Sequence, residues 1–281
     1  MIRIKNLFDP IMITIFRVLI LSVFLASFST SLFAATYYVD NTNGNDQNDG
    51  VSPSTPWKTI SKVNNSNFQP GDKIFLKRSE IWSETLDFNV SGLKDNHIVF
   101  DAYGQGSNPE LNGSEILINW SVITIDGVKV YYIPLNYDPK QIYENNFRLE
   151  KRVSKDNLAT GSWFWDSITS QLFIRTIMDD HPNNSLIEAS YREYCGQIIG
   201  NKYITVRNIT FSKARNKGLY ITGNSGNITV DNVIVERNFQ EGFKIDADGH
   251  DIRNVSLYGV EAMYNGHHGL SASTVNLGDD F

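Results

Sequence analysis

A repeat near the C-terminal end constrains this chain more than any other feature. Ile204–Phe211 (ITVRNITF), Ile228–Val235 (ITVDNVIV) and Val255–Ala262 (VSLYGVEA) are alternating segments, each followed by a polar stretch, a glycine and a second alternating run. The glycines, Gly218, Gly242 and Gly269, are 24 and 27 residues apart. A near-fixed period of this size marks a solenoid, because one such unit cannot bury its apolar face alone and must stack on its neighbours. Apolar residues at every second position predict strands rather than helices.

The register of the repeat assigns neighbours. In a parallel stack, equivalent residues lie about 4.8 Å apart. Ile204, Ile228 and Val255 form one inward column, and Val206, Val230 and Leu257 another. Asn208 and Asn232 fall at a bend, where stacked amides can bond along the axis. On the outside, Arg207 is expected beside Asp231 and Lys217 beside Glu241, pairs that help specify register.

The N-terminus reads as an export signal. Arg17 precedes the apolar run 18–28, and Ser29–Ala35 ends in small residues. That run is short for a membrane span, and an uncleaved anchor is the alternative. Residues 1–35 are therefore expected to be removed, leaving a secreted, periplasmic or cell-surface protein with no membrane segment. Arg3, Lys5 and Arg17 against Asp9 give the leader +2, so the remainder carries about −8 against −6 for the whole chain. An acidic remainder argues against nucleic acid as partner and leaves polysaccharide open. Cys195 is the only cysteine, which excludes an internal disulfide and a thiolate metal site.

Three regions are expected after the leader. Residues 36–119 hold an N-terminal cap and the first coils. Asp40–Gly50 must be loop, and Pro56–Val63 one or two helical turns with Trp57, Ile60 and Val63 on one face. Residues 120–190 break the pattern and read as a small antiparallel β insertion, with the coils resuming from Ile187–Ser190. Residues 191–281 continue the coils, and their end at Gly278–Phe281 without a capping pattern suggests a truncated solenoid.

These features resemble the right-handed parallel β-helix superfamily, the pectate-lyase-like fold. Tyr37–Gly50, Pro53, Pro56–Ile60 and Pro70–Asp72 resemble the N-terminal cap of secreted bacterial members, and Gly161–Asp166, Leu172–Ile174 and Ile187–Ser190 are similar to an insertion in some β-helix glycosidases. The resemblance implies an all-β, right-handed parallel β-helix with an N-terminal cap and an antiparallel insertion, acting on extracellular polysaccharide. Such folds host several chemistries. It also implies that catalytic groups lie in the middle coils.

The foremost candidate site is Lys244, Asp246 and Asp248, placed on one outer face if Gly242–Asp248 is a continuous strand, since Phe243, Ile245 and Ala247 then point inward. Two carboxylates about 6.6 Å apart suit an inverting glycosidase. Asp246 and Asp248 also suit Ca²⁺, which in a uronate lyase would neutralise the substrate carboxylate while Lys244 removes a proton. A solvated strand face would show the same alternation. His268, in the column of Glu241 and Lys217, suits acid–base chemistry; His267 stacks with Gln240 and Asn216, and Glu241 and His267 are expected to contact substrate. Trp163 and Trp165, on one side of an insertion strand, could stack on sugar rings. Asp40, Asp46 and Asp49 lack Ca²⁺-loop spacing and are better explained as turn-forming residues. A uronate-cleaving lyase is the expected activity, with a glycoside hydrolase or a non-catalytic glycan-binding envelope protein as alternatives.

Overall fold

Alternation along the repeats resolves into three parallel sheets that wind together as a right-handed β-helix. The structure, a computed structural model, describes residues 34–273. The expected leader, apart from its last two residues, and the chain beyond Ser273 lie outside the described residues.

The first sheet stacks Thr36–Val39, Lys73–Lys77, Ile98–Tyr103, Lys202–Arg207, Gly226–Asp231 and Arg253–Tyr258 in that order. The second stacks Ile81–Trp82, Glu110–Asn112, Thr210–Ser212, Ile234–Glu236 and Glu261–Met263. The third stacks Leu86–Asp87, Tyr194–Ile199, Lys217–Thr222, Phe243–Asp246 and Leu270–Ser273. The register is the expected one: Ile204 pairs with Ile228 and Ile228 with Val255, and Val206 with Val230 and Val230 with Leu257. Ile204, Val206, Ile228 and Val230 are fully buried in the interior, where each such aliphatic side chain contributes about 1.5–3 kcal/mol, while Val255 is partly buried and Leu257 36% exposed. Gly196 is an inward position without a side chain because Phe211 and Phe88 occupy its space; a Cβ there would lie 2.5 Å from Phe211 Cε1.

Left-handed backbone turns the corners, again in register. Tyr203, Asn227 and Asn254 form one such column, Asn208, Asn232 and Gly259 a second, and Lys213, Arg237 and Tyr264 a third, with φ between 50° and 58° throughout. Asparagine tolerates this region through local side-chain hydrogen bonds, and Asn232 donates to Asn208 Oδ1 at 2.7 Å, as the stacking predicts. Lys213, Arg237 and Tyr264 have no such excuse, so the surrounding structure must hold them. Inside the third corner, Asn238 is fully buried; its Oδ1 accepts from the Ala214 N–H at 2.9 Å and its Nδ2 donates to Asn265 Oδ1 at 3.1 Å.

The outer charge pairs differ from expectation. Arg207 does sit opposite Asp231 in register, but its guanidinium pairs with Asp101 on the preceding coil at 2.7 Å. Lys217 makes no ion pair with Glu241 among the described residues; its ammonium donates to Asn216 Oδ1 and lies over the Tyr194 and Tyr220 rings. Register fixes backbone neighbours, whereas a long side chain can reach either adjacent coil or an aromatic face.

The cap covers the first coil. Its helix is shorter than expected, Ile60–Asn64, with Thr59 as N-cap, because Trp57 instead bridges to Val39 and stacks on Tyr37. Glu84 accepts from the N–H groups of Ile60 and Ser61, satisfying donors that a helix start leaves open. Asp40, Asp46 and Asp49 are turn residues: Asp40 accepts from the Thr42 and Asn43 amides, Asp46 from the Lys58 and Thr59 amides, and Asp49 from the Val51 amide.

The insertion interrupts the third coil between its second-sheet strand, Glu110–Asn112, and its third-sheet strand, Tyr194–Ile199. One antiparallel array joins Phe147–Arg148, Ile142–Glu144, Ile187–Ser190 and Ser114–Ile116. Another joins Glu150–Lys151, Ser162–Asp166, Gln171–Arg175, Val128–Pro134 and Ser121–Ile125, with only its first pair parallel. The insertion thus starts near Ser114. Ile187–Ser190 does not resume the coil but closes the insertion; the coil resumes at Tyr194. All four of its residues are buried, since both faces are covered, and four alternating residues carry no signal of partner direction.

Candidate functional site

The outer face of the third sheet collects most of the chemistry-bearing residues expected from the repeat. Strand Phe243–Asp246 buries Phe243 and Ile245 and leaves Lys244 and Asp246 half-exposed on the other side. Tyr220 pairs in register with Lys244, and Thr222 with Asp246. The next coil sets Ser271 beside Lys244 and Ser273 beside Asp246. These neighbours hold the side chains: Lys244 donates to Ser271 Oγ at 3.1 Å, Ser273 Oγ donates to Asp246 Oδ1 at 2.7 Å, and the Tyr220 hydroxyl donates to Asp246 Oδ2 at 3.3 Å.

Tyr194 and Tyr220 stack with ring centroids 5.0 Å apart, and the Lys217 ammonium lies 5.2 Å from the Tyr220 ring centroid. Burial, reinforced by the Asp246 carboxylate, pushes the Tyr220 phenol up. Burial likewise raises Tyr194, with Tyr220 and nearby carboxylates adding to it. Both hydroxyls therefore remain protonated at neutral pH, Tyr220 as a donor to Asp246 rather than a phenolate base.

Glu241 lies at the corner just before this strand. One of its oxygens, Oε2, is enclosed and has no hydrogen-bond partner among the described residues. The register sets it between Lys217 and His268, and His268 is exposed. His267 follows Gln240 in the adjacent column, its N–H donating to the Gln240 carbonyl at 2.9 Å, and it lines a cavity against the insertion.

Two expectations differ from the structure. Asp248 does not share the strand face: the strand ends at Asp246, and Asp248 sits at φ 31° in an exposed turn closed by the His250 N–H on the Ala247 carbonyl. Alternation places side chains only while the strand continues. Asp246 accepts from two hydroxyls, and Asp248 lies off its strand face. Among the described residues no group of three or more His, Cys, Asp or Glu side chains could hold a metal ion. Trp163 and Trp165 do share a side of their strand, but that side faces the insertion core. Trp163 is 1% exposed with its indole N–H on the Leu149 carbonyl, and Trp165 is half-buried with its own on the Leu135 carbonyl. Trp163 therefore offers no flat sugar platform.

Tyr194 and Tyr220 were not singled out from sequence. The repeat's own register already puts Tyr220 beside Lys244, and extending the columns one coil back, so that Gly196–Ile199 lies over Leu219–Thr222, would have put Tyr194 beside Lys217.

Fold and face together define a right-handed parallel β-helix protein carrying an insertion beside a polar, aromatic outer face. No family model matches the chain. Over 80 residues, 27% of the chain, it is 38% identical to a lacto-N-biosidase of Bifidobacterium longum subsp. longum, a stretch that is 5% of that protein. Among solved structures it is similar to XylC in complex with xylose, at TM-score 0.61 and 13% identity, covering 84% of this chain and 60% of that one. It is also similar to a glycoside hydrolase at TM-score 0.58 and 10% identity, covering 76% of this chain and 64% of that one. The chain thus spans less than two thirds of each of these proteins. No helix among the described residues is long and apolar enough to cross a membrane.

Proposed function

We propose that this is an exported carbohydrate-active protein whose third-sheet outer face binds a glycan and hydrolyses a glycosidic bond. The observation that carries this reading is the contrast between two carboxyl groups. Asp246 is held by two hydroxyl donors, whereas Glu241 keeps one enclosed oxygen without a partner. Glycoside hydrolysis uses two carboxyl groups in different surroundings. Glu241 is suited to give a proton to the departing glycosidic oxygen, and Asp246 to take one from the water that attacks the anomeric carbon. The C–O bond breaks, and the water supplies a hydroxyl to one product and, through the two carboxyl groups, a proton to the other. Lys217, Lys244 and the two tyrosines supply donors for sugar hydroxyls. The likeness to XylC, seen in complex with xylose, supports a glycan ligand, and the lacto-N-biosidase and glycoside hydrolase likenesses are compatible with hydrolysis.

A second reading is β-elimination on a uronate polymer, with Lys244, oriented by Ser271, as base. The raised phenols of Tyr194 and Tyr220 and the dispersed acidic groups make it weaker. One assay separates the readings. The protein is incubated with aryl lacto-N-bioside, aryl xyloside, polygalacturonate and alginate. New reducing ends or released phenol without ultraviolet absorbance support hydrolysis. Absorbance of a 4,5-unsaturated uronide supports elimination. Binding of these glycans without either product leaves a glycan-binding protein.

A further inference from the structure

Where the insertion meets the third corner of the β-helix, a crease opens that the outer face does not use. Tyr143, Asn145, Asn146, Phe147 and Arg148 from the insertion enclose about 490 Å³ against Arg237, Tyr264 and Asn265 from the corner. A second hollow of about 390 Å³ adjoins it, lined among others by Arg148, Lys151, Glu150 and His267. Arg148 belongs to both.

The charge here runs against that of the molecule. The chain carries net −6, yet no carboxylate lines the larger hollow. In the smaller one Glu150 is already paired with Arg152 at 2.7 Å. Arg237 is already engaged: it is paired with Glu236, donates from Nε to the Asn146 carbonyl at 3.2 Å and lies 5.1 Å over the Tyr264 ring. Arg148 has no carboxylate partner among the described residues, and donates to the Tyr264 carbonyl at 2.6 Å. Two aromatic rings stand open beside these guanidinium groups: Phe147 is 68% exposed and Tyr264 71%.

We infer that this crease is a second glycan site, selective for a sugar bearing a carboxylate or sulfate, which Arg148 grips while Phe147 and the open side of Tyr264 pack on the ring. A guanidinium fork matches both anions with two parallel hydrogen bonds, and aromatic faces take the apolar face of a pyranose. A hollow of this size is in the range of small-ligand sites. The inference rests on the glycan reading above and adds the class of sugar and the residues that choose it.

Calorimetric titration of the full chain with trigalacturonate, a sulfated chondroitin disaccharide and maltotriose tests it. The expected result is binding of at least one anionic probe, weakened by salt, with the neutral probe bound at least tenfold more weakly. Comparing the two anionic probes decides between carboxylate and sulfate. Arg148→Gln should weaken the anionic probe roughly 10- to 100-fold. Phe147→Ala, at an exposed ring, tests the crease without removing a charge and should weaken it in the same direction. Equal binding of maltotriose, or unchanged affinity in both variants with thermal melts like the parent's, overturns the crease as the site. If Asp246→Asn still abolishes turnover in that case, the outer-face reading survives alone. Absence of binding by all three probes overturns the crease inference, and absence of turnover in the earlier assay as well removes the hydrolase reading.

Discussion

Lys213 Nζ lies 2.5 Å from Glu188 Oε2, with both side chains 5% exposed or less, so an ion pair is sealed between the β-helix corner and the insertion. Glu188 also accepts from Asn112 Nδ2 and Ser114 Oγ on its other oxygen, and Lys213 lies over the Tyr143 ring. The corner column that leaves Lys213, Arg237 and Tyr264 in left-handed backbone is the edge to which the insertion is fastened: the Tyr143 hydroxyl donates to the Arg237 carbonyl and Arg148 to that of Tyr264.

Removing one member of this pair should cost more than removing both. Lys213→Met strands a buried carboxylate, and a loss of about 3–5 kcal/mol is expected. The double variant Lys213→Met/Glu188→Leu should recover part of it. Urea unfolding of the four proteins in the cycle measures the coupling; a single-variant loss below 1 kcal/mol would show that the pair is not sealed from water.

At the outer face, Asp246→Asn keeps the shape of the side chain and the Ser273 hydrogen bond while removing the carboxylate. Turnover should fall about 100-fold or more, with a melting temperature close to the parent's. Glu241→Gln should fall similarly. Steady-state rates with whichever aryl glycoside is cleaved provide the check, and parental turnover in both variants would send the search for the site elsewhere.

Acid should loosen the cap. Burial pushes the Asp40 carboxyl up, but hydrogen bonds from Lys77 and Asn43 outweigh it and leave the group below its ordinary value. Asp46 behaves alike: burial raises it, while the Lys58 and Thr59 donors prevail. A carboxyl depressed on folding contributes stability that is present above its unfolded value, about 3.9 for Asp, and lost as pH falls through the folded value. Melting temperature should therefore drop on acidification below about pH 4. In Asp40→Asn and Asp46→Asn the neutral-pH value should be lower and that drop shallower. Thermal melts from pH 6 to pH 2 test this.

The single thiol should be silent in the folded protein. Cys195 is fully buried, and burial pushes its thiol far above the ordinary range. A thiol must be exposed and ionised to react. A disulfide reagent at pH 8 should label it only in denaturant, and rapid labelling of the native protein would contradict its placement.

Period and alternation were enough to read the β-helix, the inward columns and the asparagine corner. Each depends on one residue's relation to its equivalent a coil away, and a repeat displays that relation openly. The cap turns were legible for a similar reason, because Asp40, Asp46 and Asp49 bond amides close by or just across the loop. Side-chain partners were harder to read. Arg207 could reach forward to Asp231 or back to Asp101, and in-register pairing does not choose between them. Asp248 was misplaced because the alternation continues on paper past the point where the backbone turns. Trp163 and Trp165 were misread because amphipathic alternation says two residues share a side without saying which side is wet.

What the sequence by itself determined, then, is the coil: its strands, its stacking and the residues that face its interior, since these follow from local periodicity and hydrophobic burial. Only the tertiary structure decided how the insertion returns upon the third corner. That joins Glu188 to Lys213, brings Arg148 beside Arg237 and Tyr264, and opens a cationic crease in an acidic chain. The residues involved are separated by 25 residues in the first case and by nearly 90 or more in the others, with no periodicity linking them, so their meeting depends on packing between two differently built parts of the chain.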